Sequence, residues 1–184
     1  MSRTHTLAIA IALTTFAAAS TPPARAAASA VTASGFLSTH EVVVPDTPLA
    51  AYEAFIRIGD WWSPAHTYSG NARALTLAPH AGGCFCEHWG NNSVEHARVI
   101  QAIAGDTLRL SGGIGPLQSL SVQGVLTVTF RRMENGQTRV SLSYRVAGPA
   151  DAMLEALASP VDQVLGEQLS GFAAARTKRA DVQP

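Results

Sequence analysis

Two stretches of regular alternation meet at an Asn-Gly pair. From Val122 to Arg132 and from Thr138 to Val146, apolar residues fall at every second position, and Asn135-Gly136 lies between the two runs. A period of two buries one face of a strand, and Asn-Gly between two such runs is the strongest short-range hairpin signal. The segment is therefore a β-hairpin. Shorter strand-like runs precede it at Ala74 to Ala78, Gly83 to Trp89, Val94 to Ile103 and Thr107 to Leu110. Pro79-His80-Ala81-Gly82, Gly90-Asn91-Asn92 and Gly105-Asp106 separate them, which is turn chemistry. With a first strand at Phe36 to Val44 closed by Pro45, the pattern predicts an antiparallel meander.

Two segments break this period. After Pro45, Asp46 or Thr47 can cap a helix and Pro48 suits its first turn. Leu49, Tyr52, Phe55 and Ile56 then recur at helical spacing, and Gly59-Asp60 ends the run. Near the C-terminus Ala152 to Ala158 favours helix, while Ser159-Pro160 is the signature of a cap and first-turn proline opening a further helix. Its apolar face is Val161, Val164, Leu165, Gln168, Leu169 and Phe172. Such a stripe requires a covering surface, and one face of the sheet is available. The expected order is strand, helix, about six antiparallel strands, helix: an α+β chain whose curved sheet wraps a long C-terminal helix. Where facing side chains do not fill the space, an apolar cavity results, the usual form of a small-molecule site.

The first thirty residues carry a different signal. Met1 to Arg3 is a short basic start, Leu7 to Ala19 is apolar apart from threonines, and A-x-A-like sites follow between Ala24 and Ala30. This is the pattern of a secretory signal peptide cleaved within Ala26 to Ala30, and the run is shorter than the about 20 apolar residues a span needs. The expectation is a periplasmic or secreted domain over residues 31–184, with no stable membrane insertion after cleavage. The chain has 13 basic and 13 acidic residues and no long basic run, which argues against nucleic acid as a partner. With 47% hydrophobic residues and two cysteines, apolar burial rather than a disulfide framework must hold the core. No cofactor is implied.

The chemistry-bearing residues cluster between Trp61 and His96. Cys84 and Cys86, two apart on one strand, share a face. Three readings stay open for them. They serve as small buried hydrophobes or line a cavity or surface; they form a disulfide, which a regular strand strains but a bulge after Gly82-Gly83 permits; or they bind metal with His66, His88 or His96, ligand types suited to zinc or copper(I). Glu87, Glu95 and His96 lie on neighbouring strands, where a carboxylate and an imidazole on one face could act as general base and orienting partner. The alternative is a hydrogen-bonded structural pair. Gly112-Gly113 and Gly115-Pro116 lack the Lys-Ser/Thr of a nucleotide loop and suit a flexible gate or bend.

The element order, Asp60-Trp61-Trp62 after the first helix, the Pro79 to Gly83 turn, the GPLQ segment Gly115 to Gln118, and the last helix from Pro160-Val161 together resemble the START-like, or SRPBCC, superfamily. That group has a helix-grip fold and includes birch-pollen-allergen-like proteins, polyketide cyclases, lipid carriers and Hsp90-ATPase-activator homologues. The chain also looks like an exported subgroup carrying HTYSG, GGCFCE and VEH, here His66 to Gly70, Gly82 to Glu87 and Val94 to His96. The resemblance implies a cavity for a small hydrophobic or amphipathic molecule, lined by candidates Trp62, His66, Tyr68, Cys84, Cys86 and Gln118. Two other functions remain as alternatives: a polyketide-cyclase-like enzyme using Glu87, Glu95 or His96, and a metal-binding or thiol-redox protein centred on Cys84 and Cys86.

Overall fold

A computed structural model describes residues 28–180. The chain runs β1 (Ser29–Thr32), β2 (Gly35–Val44), α1 (Pro48–Ile56), β3 (Leu75–Leu77), β4 (Cys84–Trp89), β5 (Asn92–Ile103), β6 (Thr107–Ser111), β7 (Gln123–Arg132), β8 (Thr138–Ala147) and α2 (Leu154–Ala180). All eight strands join one curved antiparallel sheet in the order β1-β2-β8-β7-β6-β5-β4-β3, with α2 against its inner face. This is the α+β helix-grip arrangement. The eighth strand, one more than the period-two pattern revealed, is β1, a short and fully exposed edge with no alternation to betray it. The basic start, Leu7 to Ala19 and the first A-x-A site lie outside the described residues. Among the described residues, no helix is long and apolar enough to cross a membrane.

Helix α1 starts where its capping chemistry lies. Thr47 Oγ1 accepts from Ala50 N at 3.3 Å, and Pro48 takes the first turn, where its missing N–H costs nothing. Its buried face is Ala51, Tyr52, Ala54 and Phe55, whereas Leu49 is 50% exposed. Counting only large side chains misplaces the stripe: the two alanines let the helix approach the sheet, and that rotation turns Leu49 out.

A second correction concerns the C-terminal helix, which is one continuous element with Pro160 inside it rather than a new helix opening at Ser159-Pro160. A proline removes the bond to the carbonyl four residues earlier. Here that residue is Ala156, which is exposed, so water can satisfy its carbonyl. The helix is pinned at three places. Leu154 N donates to Ala33 O at 3.0 Å; buried Asp162 meets His40 Nε2 at 3.0 Å and Ser38 Oγ at 2.6 Å on β2; and Arg176 grips both oxygens of Asp46 at 2.7 and 2.8 Å. Between these pins Leu165, Leu169 and Phe172 enter the core beneath Phe130, Leu142 and Tyr144 of the sheet.

Several glycines are fixed by close approach, Gly124 among them. A Cβ on Gly124 would collide with the Gly112 carbonyl and the Tyr144 hydroxyl. Gly124→Ala should therefore destabilise by about 1–3 kcal/mol through overpacking, a cost measurable by urea unfolding. A cost below about 0.5 kcal/mol would show that the β6–β7 connection yields freely.

Candidate functional site

The site begins with a defect in the sheet. Phe85 stands opposite Ala97 and Cys86 opposite Glu95, so β5 carries one extra residue, His96, between them. A bulge of this kind shifts the alternation by one position. His96 and Ala97, adjacent in sequence, are consequently both buried, while Glu95 and Arg98 on either side face out. Phe85 and Glu87 on β4 point to the same interior.

Glu87 is wholly buried, and His96 is 6% exposed. The Glu87 carboxylate takes Tyr68 N at 3.0 Å, Ser69 N at 2.5 Å and His96 Nε2 at 3.1 Å. Burial pushes this carboxyl up, but hydrogen bonds from Ser69, Tyr68 and His96 together hold it below the ordinary carboxylate value. Burial lowers the His96 pKa, and the hydrogen bond and charge of Glu87 offset this only in part. The pair at neutral pH is thus a carboxylate and a neutral imidazole. An ionised carboxylate can only accept, so Nε2 carries the proton and Nδ1 is left as an acceptor, able to take a hydrogen bond or a proton. The ring is stacked on Phe85, with centroids 4.8 Å apart.

His96 lines a cavity of about 430 Å³ between the inner sheet face and α2. Phe85 and Tyr144 form the sheet wall, and Pro160, Val161, Val164 and Leu165 the helix wall. The loop after α1 supplies Trp62, His66, Thr67 and Tyr68; the loop after β6 supplies Ile114, Gly115 and Pro116. Each loop is held by internal bonds. Trp62 Nε1 donates to His66 O at 3.0 Å, His66 Nε2 meets Glu167 on α2 at 3.1 Å, and Glu87 anchors Tyr68 and Ser69. Opposite, the Tyr144 hydroxyl donates to Gly112 O at 2.8 Å and accepts from Ile114 N at 3.0 Å. Burial pushes that hydroxyl's pKa up to about 12, so it remains a neutral latch on the β6–β7 connection.

Of the sequence candidates, Trp62, His66, Tyr68 and His96 line the cavity together, and Glu87 supports them from behind. Glu95 does not join this acid–base group: the bulge turns it outward, where Arg98 Nε binds it at 3.1 Å. Gln118 is not a lining residue either, since its side chain is directed to Glu95 O and Tyr68 Oη behind the loop. Cys84 and Cys86 lie on the opposite face from Phe85 and are joined by a disulfide, with Cα atoms 5.4 Å apart. They too are outside the cavity. The sheet is irregular beside the bridge, where the β4–β5 register shifts between Phe85 and Cys86.

The three histidines do not gather around the cysteines. His66 pairs with Glu167, His96 with Glu87, and His88 is exposed. Among the described residues the ligand-type atoms grouped with the two sulfurs come from Glu95 alone, and Glu95 is already bound to Arg98. Tyr144 is a further wall residue, and the sequence carries its signal: Val140, Leu142, Tyr144 and Val146 alternate, so the ring belongs to the core face.

No protein-family model and no curated protein matches this chain. Solved structures do share its fold. A protein of unknown function from Staphylococcus aureus is 15% identical, with 80% of this chain and 96% of that one covered at a TM-score of 0.57. A structural-genomics target from Mesorhizobium loti is 12% identical, covering 77% and 97% at 0.55. One from Nitrosospira multiformis is 13% identical, covering 79% and 99% at 0.55. At such identities the likeness concerns the fold alone.

Proposed function

We propose that this is an exported START-like protein of the SRPBCC kind that binds a small hydrophobic or amphipathic molecule between the sheet and α2. The observation that carries the reading is the 430 Å³ cavity, apolar on nearly every wall and open to one buried polar pair, Glu87–His96. Its volume is in the range that encloses small organic ligands. The C-x-C disulfide suits an oxidising compartment, in keeping with the leader-like N-terminus. The neutral fluorophore N-phenyl-1-naphthylamine should bind with enhanced emission. Val164→Trp, which fills the helix wall, should weaken binding at least about tenfold, or about 1.4 kcal/mol, without unfolding the protein. Undiminished binding in a folded Val164→Trp protein would move the ligand elsewhere.

The Glu87–His96 pair supports a second reading, a polyketide-cyclase-like enzyme in which His96 Nδ1 takes a proton from the enclosed substrate while Glu87 holds the ring. The two readings separate on His96→Gln. A carrier keeps its affinity for the apolar fluorophore, whereas an enzyme keeps that affinity and loses turnover.

A further inference from the structure

Beyond the cavity wall formed by Trp62, Phe85 and Leu165 lies a buried polar group with an unused donor. Gln168 on α2 is 2% exposed; its Oε1 accepts from Ser63 N at 2.8 Å, which fixes the orientation of the amide, and Nε2 has no partner among the described residues. It borders a void of about 10 Å³, and Trp62, Phe85 and Leu165 line both that void and the main cavity. The remaining walls are Phe55, Ile58, Trp61, Leu77 and further leucines, and both indole N–H groups already donate, Trp61 to Phe55 O and Trp62 to His66 O. No side chain there offers an acceptor. A void of this size is at the limit for one water, which needs two or more polar partners and would find only Gln168. An orphaned buried amide donor is costly and calls for an explanation.

We infer that Gln168 Nε2 is a specificity-determining donor, and that the ligand carries an uncharged oxygen acceptor, such as a ketone, ester or ether oxygen, on the apolar end that enters first. This rests on the cavity being the binding site. A carboxylate does not fit the same place, because the void has no lysine or arginine in its walls and one amide cannot offset the burial of a full charge. To reach the Nε2 hydrogen the leading end must part Trp62, Phe85 and Leu165 and enlarge the void, while Oε1 keeps its bond to Ser63.

Three probes of one skeleton test this: 2-acetylnaphthalene, 2-ethylnaphthalene and 2-naphthoate, each displacing N-phenyl-1-naphthylamine from the full chain and from Gln168→Met. The ketone should gain on the hydrocarbon by about tenfold in the wild type relative to the variant, with the carboxylate weakest in both. In the wild type, the Gln168 side-chain amide protons should move downfield with the ketone and stay in place with the hydrocarbon, a reading independent of whether Gln168→Met folds. An unchanged ketone-to-hydrocarbon ratio, or amide protons indifferent to the ketone, overturns the assignment while leaving the cavity reading intact. Failure of the fluorophore itself to bind the wild type removes both.

Discussion

Glu87→Ala should lower the stability of this protein by about 3 kcal/mol, because three donors lose one acceptor. Tyr68 N, Ser69 N and His96 Nε2 all converge on that carboxylate, two of them from the loop that forms the cavity mouth. For a domain of this size the loss corresponds to a melting temperature about 6–12 °C lower, and the fluorophore should bind more weakly as the mouth loosens. A change under about 2 °C would mean that water replaces the carboxylate and that the pair is no anchor.

The same pair dictates how stability depends on pH. The folded pKa of His96 is lowered from its ordinary 6.5, so the unfolded chain takes up that proton first. This contribution is complete above about pH 6.5 and is lost as pH falls through the folded value. Glu87 is also lowered, from 4.5, and its contribution likewise disappears as pH falls from there through the folded value. The melting temperature should therefore decline in two stages on acidification. His96→Gln should abolish the upper stage alone, and a wild-type melting temperature that is flat between about pH 7 and pH 5.5 would contradict the neutral imidazole.

Phe172→Ala should be the most damaging single truncation in α2. Phe172 is fully buried, 5.3 Å from the rings of both Phe55 and Trp61. Removing it leaves a cavity where α1, the Trp loop and α2 meet, at a cost of about 3–5 kcal/mol. The expected fall in melting temperature is about 6–20 °C. Leu49→Ala is the contrasting control: the residue is 50% exposed, so its truncation should cost within about 0.5 kcal/mol. If the two variants melted alike, the assigned face of α1 and the depth of Phe172 would both be wrong.

Much of the architecture is legible in local chemistry. The Asn135-Gly136 hairpin, the Thr47-Pro48 helix start and the stripe from Val161 to Phe172 each state their structure within a few residues, and each lies where the pattern puts it. The site was only half legible. Trp62, His66, Tyr68 and His96 could be proposed from composition and resemblance, but Glu87 and Glu95 were equivalent carboxylates until one was turned inward and the other out. Gln168 looked like an interruption in an apolar face, and nothing local distinguishes such a residue from a functional one.

What the sequence by itself determined is most of the elements and most of the residues on their buried faces, since helix and strand periods, caps and turns act over a few residues. Only the tertiary structure decided which groups meet. The extra residue at His96 is visible solely against β4, because a bulge is a relation between two strands. Pro160 was a start signal until the exposure of Ala156 made it tolerable inside a helix. The unpartnered amide of Gln168 likewise exists only when the leucines and aromatic rings of distant elements close around it. Local propensity has no knowledge of which partner is absent; burial does.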